Sequence, residues 1–235
     1  MTPWRGLRIL LHCTIFKRGA ERRENPFKGE TMTTSTDAPV EIRRLWPADM
    51  PAFRDHLLRL DAHSRHQRFG GGVSDEFVVH YAESCFGQGD LVFGAFIAGE
   101  MRGAGELRSR EAIWTERAPF HRHIHAEAAF SVEGDLRRRG VGEQLFQRIE
   151  RAASNHGVET IEIVCLPDNV GMLRLAAKFK TQFTFEEDRL AGRLTARRPT
   201  AFSLMSEASR DMIDFTHSLF DAQMRLIQQG LAKSA

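Results

Sequence analysis

The stretch AEAAFSVEGDLRRRGVGEQL, from Ala126 to Leu145, constrains this chain more than any other. A half-buried strand pattern runs into an arginine- and glycine-rich turn, and a helical pattern follows. Such a turn leaves the first backbone N–H groups of the helix without intrahelical acceptors, so they and the helix dipole favour a phosphate oxygen. Gly140 and Gly142 permit close approach of a ligand to the main chain, while Arg137, Arg138 and Arg139 bring positive charge to the same place. A P-loop would need Lys-Ser/Thr after its last glycine, and Gly142 is followed by Glu143 and Gln144. A dinucleotide fingerprint would need a third glycine where Leu145 stands, and a first glycine directly after the strand.

What remains is Arg-x-x-Gly-x-Gly, formed by Arg137, Gly140 and Gly142. Beyond it Val141, Leu145, Ile149 and Ala152 fall on one helical stripe that ends at Gly157. A strand from Thr160 to Leu166 follows, and after Pro167 a second helix opens with Asp168 or Asn169 as its cap. These two adjacent blocks resemble the acetyl-CoA motifs of the GNAT acyltransferases. VEIRRLWPADMPAF, Val40–Phe53, is similar to the family's first strand and first helix, and LDAHSRHQRF, Leu60–Phe69, to a stretch of bacterial members that include protein-lysine acetylating enzymes. Asp90–Ala98 and Glu100–Trp114 read as a hairpin turning near Gly99, with Phe183–Arg189 and Leu190–Ala196 as a last strand pair. The resemblance spans roughly 40–198 and implies an α/β fold: a central mixed, mostly antiparallel sheet, helices on both faces, and acetyl-CoA wedged between the fourth and fifth strands.

The remainder reads as extensions. Residues 1–39 are expected to be a disordered N-terminal segment, whose first 31 residues carry a short apolar stretch flanked by Arg and Lys but no small-residue cleavage site. After Pro199 a long amphipathic helix repeats apolar residues at Met205, Ala208, Met212, Phe215, Leu219, Ala222 and Leu226, in steps of three and four. That stripe predicts a helix docked lengthwise on something apolar, its own domain or a second copy in a homodimer. The formal charge of +2 does not suggest nucleic-acid binding, and no apolar run is long enough to span a membrane. Cys13, Cys85 and Cys165 are odd in number and lie outside any CxxC pair, which argues against a disulfide framework and points to the cytosol.

The resemblance also implies roles for residues. The backbone N–H groups of Phe130, Ser131 and Val132 would hold the acetyl carbonyl, Arg137–Gly142 (with Arg138, Arg139, Gly140 and Val141) the pyrophosphate, and Asn169 the CoA arm. Glu127 stands where the histone-acetylating branch has its catalytic glutamate. It is the expected general base, with a pKa raised by burial at the cleft mouth, and Glu106 is its rival. The family's usual acid, a Tyr on the second motif helix, is replaced by Ala176. His121, His123 and His125 form an HxHxH run that, with Glu127, offers a facial set of ligands; nothing else supports a metal there. The expected activity is transfer of an acetyl group from acetyl-CoA to a primary amine of a small molecule or a protein lysine, with no metal, nucleic acid or membrane involved. A non-catalytic acyl-CoA-sensing module is the alternative.

Overall fold

The computed structural model describes residues 39–87, 90–109, 124–186 and 188–233. The N-terminal extension through residue 38, together with His121 and His123, lies outside the described residues. In chain order the elements are β1 (Val40–Leu45), α1 (Met50–Arg59), α2 (Ala62–Phe69), α3 (Asp75–Ser84), β2 (Leu91–Ile97), β3 (Glu100–Arg108), β4 (Ile124–Val132), α4 (Val141–Asn155), β5 (Val158–Cys165), α5 (Val170–Lys178), β6 (Gln182–Glu186), β7 (Arg189–Thr195) and α6 (Ala201–Lys233). The strands form one seven-stranded sheet in the order β1-β2-β3-β4-β5-β7-β6. Every neighbouring pair is antiparallel except β4 with β5, which the α4 crossover makes parallel.

Two cores sandwich the sheet. On one face α4 lays down Val141, Leu145, Phe146, Ile149 and Ala152, each no more than 1% exposed, against Phe93, Leu107, Ala126, Ala128, Ile161 and Ile163. Each such large side chain removed from water stabilises the fold by about 1.5–3 kcal/mol. On the other face Phe53 and Leu57 of α1 and Val78 and Ala82 of α3 meet Val92, Phe96, Met101 and Ala104. Strand β4 alternates between the two: Ile124, Ala126 and Ala128 enter the α4 core, while Ser131 reaches α1. Asp61 caps α2 by accepting from the Ser64 N–H, Gly70 ends that helix in the left-handed region, and Ser74 caps α3.

Helix α6 docks on its own domain, but with a polar face about 100° around the helix from its apolar stripe, so that of the stripe Phe215 meets the domain, edge-on to Trp46 with centroids 5.2 Å apart. Its buried residues are Glu207, Asp214 and Ser218. The Arg148 guanidinium donates to Glu207 at 2.6 Å, the backbone N–H of Arg44 to Asp214 at 2.7 Å, the Arg43 guanidinium to Asp221 at 2.8 Å, and the Arg225 guanidinium to the Ala48 carbonyl at 2.6 Å. Arg44 also pairs with Asp211. Arg43 and Arg148 are buried and must meet carboxylates, since an unpaired buried charge costs far more than an unburied methionine. The acidic stripe therefore takes the docking face, and Met205, Met212, Leu219 and Leu226 stay in solvent.

Candidate active site

The pairing of β4 with β5 is the first feature of the site. The register runs Ile124↔Val158, His125↔Thr160, Ala126↔Ile161 and Glu127↔Glu162 and ends there, although β4 continues to Val132 and β5 to Cys165. Past Glu127 the two strands part, so the β5-facing side of residues 128–132 lacks a ladder partner. Buried backbone groups need acceptors and donors, and this wedge offers them to a ligand. Phe130, Ser131 and Val132 lie along it. The Phe130 ring stacks on Phe146 with centroids 5.2 Å apart, and Val132 is half-buried.

Where the wedge meets α4, the main chain turns into a cradle. Gly140 is the N-cap with φ +83°, and no side chain caps the helix. Gln144 is the first residue of α4 whose N–H reaches a helical carbonyl, that of Gly140 at 3.1 Å, so the N–H groups of Val141, Gly142 and Glu143 precede any intrahelical acceptor. A Cβ added at Gly142 would meet only Leu175 Cδ2, at 3.4 Å, and one at Gly140 would meet nothing within 4 Å. Neither glycine is demanded by packing; Gly140 is demanded by its backbone angle. Val141 turns its side chain into the core, leaving its N–H as the group able to serve a ligand. Arg138, itself at φ +63°, and Arg139 are exposed on the same turn. The side chain of Arg137 is directed elsewhere: it donates to the Ser64 hydroxyl at 2.7 Å, and that hydroxyl donates to Asp61 at 2.7 Å. These contacts latch the start of α2 to the turn, and Gln67 reaches from α2 to Asp168 at 3.0 Å. Ser64, Arg65 and Arg68 thus do structural work around the wedge, with Arg65 held by Asp75 and Leu58 O.

Two buried polar networks sit on the α1–α3 side. Glu106, opposite Ala129 in the sheet, accepts from Arg68 at 2.6 Å and from the Tyr81 hydroxyl at 2.6 Å. Burial and the adjacent carboxylate push the Tyr81 phenol far above its ordinary range, and burial pushes the Cys85 thiol up to about 12. Glu106 is consequently an anchored counterion. The second network centres on Glu133, which follows directly on β4. It accepts from His56 at 3.1 Å, Arg59 at 3.0 Å and Arg102 at 2.6 Å. Burial opposes its ionisation, but His56 and the two arginines outweigh that and hold it at about 2. Desolvation lowers the pKa of His56, which is then neutral; with Nδ1–H donating to Glu133, Nε2 accepts from the Ser131 hydroxyl at 2.9 Å.

Glu127, the expected base, is exposed at the vertex of the wedge rather than buried at its mouth. Its cross-strand neighbours are Arg108 and Glu162. His125, two residues earlier on the same face, is also exposed, and the described residues contain no group of three or more His, Cys, Asp or Glu arranged to hold a metal. Asn169 caps α5 by accepting from the Met172 N–H at 3.0 Å, leaving its amide N–H₂ for other partners. Ala176 is fully buried in the α4 core. A groove of about 640 Å³ starts at the Glu143–Lys178 pair and runs along α4 to Arg197 and Arg198; none of its lining residues belongs to β4 or β5, so it is separate from the wedge.

Among the described residues the sheet splits at its single parallel pair, with an uncapped helix start beside the split, and the comparisons say which family has this fold. The acetyltransferase (GNAT) family model matches residues 50–180. The chain belongs to this family. Among solved structures, it is similar to the GNAT domain of PAT from S. lividans, with a TM-score of 0.55 and 21% identity over 66% of this chain and 90% of that one. It is also similar to yncA of Salmonella typhimurium, described as an acetyltransferase and solved with its cofactor acetyl-CoA, with a TM-score of 0.50 and 17% identity over 69% and 96%. A domain from Methanocaldococcus jannaschii gives 0.51 and 12% over 68% and 99%. At these identities the likeness is one of fold. A search of curated proteins by sequence finds no match. No helix among the described residues is long and apolar enough to cross a membrane.

Proposed function

We propose that the protein transfers the acetyl group of acetyl-CoA to a primary amine, on a small molecule or a protein lysine. The observation that carries this reading is the parting of β4 and β5 after Glu127↔Glu162, directly beside the uncapped start of α4. In this reading the N–H groups of Val141, Gly142 and Glu143, with Arg138 and Arg139, hold the pyrophosphate, and the backbone of Phe130–Val132 faces the acetyl carbonyl. Charge develops on that carbonyl as the amine adds, and fixed N–H donors there lower the barrier. The amine must also lose a proton. Glu127 stands at the vertex with its carboxylate in solvent, placed to accept that proton directly or through one water. Departure of the sulfur as thiolate needs no dedicated acid, since a thiol titrates near 8.5, and Ala176 offers none.

The buried Ala176 also favours a second reading, in which the domain binds acetyl-CoA without turnover. CoA release above the hydrolysis blank, measured across a panel of amines and peptides, separates the two. Glu127→Gln should slow acetylation by about 10²- to 10⁴-fold while acetyl-CoA still raises the melting temperature; a normal rate from pH 6 to 9 would remove Glu127 from the mechanism. Acetyl-CoA at a hundred times its dissociation constant should stabilise the chain by about 2.7 kcal/mol, and NAD and ATP by much less.

A further inference from the structure

The outward surface of α6 is apolar along its length. Phe202 is 83% exposed, Met212 73%, Leu226 69% and Phe220 62%, and Met205, Ile213, Leu219, Ile227 and Leu231 are open as well. On a helix of 33 residues, about 50 Å long, these side chains present on the order of 1,000 Å² to solvent. The largest apolar patch on a typical monomer is about 300–600 Å², whereas a stable interface takes about 800 Å² from each partner.

The pattern selects what can cover this face. A lipid surface would call for lysines and arginines flanking the apolar arc, but α6 carries only Arg210, Arg225 and Lys233, and Arg225 is bonded to Ala48. Steps of three and four from Met205 to Leu226 instead form a seam for another helix. The seam is complementary to itself when reversed. Set antiparallel, Ala208 faces the partner's Leu219 and Ala222 the partner's Met205, so small meets large in two layers, while Phe215, edge-on to Trp46 of its own domain at 5.2 Å, meets the partner's Met212 at the margin of the seam. A parallel pairing would set alanine against alanine in two layers and crowd Phe215 on its own copy. We propose that α6 is a dimerisation helix, held to its own domain by its acidic stripe and paired antiparallel with α6 of a second copy by its apolar one.

Light scattering of the full chain over a concentration series should give twice the mass of the 26.7-kDa chain. Met212→Asp and Leu219→Asp place an unpaired charge in the seam but sit on exposed positions of the folded domain. Both should therefore yield monomers with unchanged circular dichroism and unchanged thermal shift by acetyl-CoA. For orientation, Met205→Cys mixed with Ala222→Cys should cross-link, and Met205→Cys alone should not. A monomeric wild-type chain at every concentration overturns the proposal. So does a monomer that associates only after residues 1–31 are removed, which would make that segment the cover, or a monomer that co-sediments with anionic phospholipid vesicles. Self-cross-linking of Met205→Cys overturns the antiparallel arrangement.

Discussion

Two arginine-rich regions flank opposite parts of α4, and they use the same side chain to opposite ends. At the Gly140 turn Arg138 and Arg139 stand exposed, and Arg137 bonds only to a hydroxyl and a carbonyl oxygen. In the α6 dock Arg43 and Arg148 are buried, and each meets a carboxylate within 2.9 Å. The turn sets its arginines at the surface, where an anion from solution can reach them. The dock turns its buried arginines onto carboxylates of the chain itself, and so binds a helix. Clustering of arginine in a sequence cannot separate the two uses; burial within the fold does.

That contrast can be broken from either side. The largest effect should come from Gly142→Asp, which sets a carboxylate where phosphate oxygens would lie. Acetyl-CoA binding by calorimetry should fall at least about 100-fold, some 2.7 kcal/mol. The melting temperature should change little, because only Leu175 stands near the new Cβ. Retained affinity would move the phosphate site elsewhere. Arg148→Ala is the mirror image. Breaking a buried pair costs about 3–5 kcal/mol, so the melting temperature should drop by roughly 10 °C with acetyl-CoA affinity intact. If instead affinity falls and stability does not, the two regions have been assigned the wrong way round.

Glu133→Gln tests a third arginine set. The depressed pKa of Glu133 means that the native state favours its anion. Its stabilisation is thus complete above the unfolded value of about 4.5 and lost as pH falls toward 2, by no more than about 3 kcal/mol. The variant should be less stable at pH 7 and show a flatter acid limb in urea melts between pH 5 and 2; an unaltered limb would mean that Glu133 is not the titrating group. The smallest effect belongs to Arg138→Ala. It should weaken acetyl-CoA binding a few-fold, and the loss should shrink as salt is raised, since an exposed charge is screened. A loss independent of salt would argue against a purely electrostatic role.

Much of the fold was legible in local pattern. The stripe Val141, Leu145, Ile149, Ala152 foretells the buried face of α4, Gly99 the β2–β3 turn, and the Asp168–Asn169 pair the cap of α5, which the structure assigns to Asn169, because each depends on neighbours a few residues away. Helix α3 escaped notice despite Ser74 and the acidic Asp75 and Glu76 at its start, since the three glycines before it draw attention to a loop. The His56–Ser131–Glu133 chain was invisible because its members lie 75 and 77 residues apart. For α6 the heptad spacing identifies which residues share a face, but the docked face is decided by Arg43, Arg44 and Arg148, whose burial no short window reveals. The exposure of Glu127 has the same origin: it follows from where β5 departs from β4.

That departure has a mechanical side. Strands β1–β4 and β5–β7 meet at only four register pairs, while β2 and β3 share seven. Other ties across the seam are side-chain ones: the α4 core, which packs on β4 and β5 alike, Phe146 stacked on Phe179, Glu143 paired with Lys178, and Gln67 bonded to Asp168. A joint with so few backbone bonds should be where the native state opens first, exchanging its amide hydrogens by a local event well below the free energy of global unfolding. A ligand seated in the split would act as a staple between the halves. Acetyl-CoA should then slow hydrogen exchange on both margins of the seam, Ala128–Val132 and Ile163–Cys165, and leave the far β2–β3 hairpin as it was.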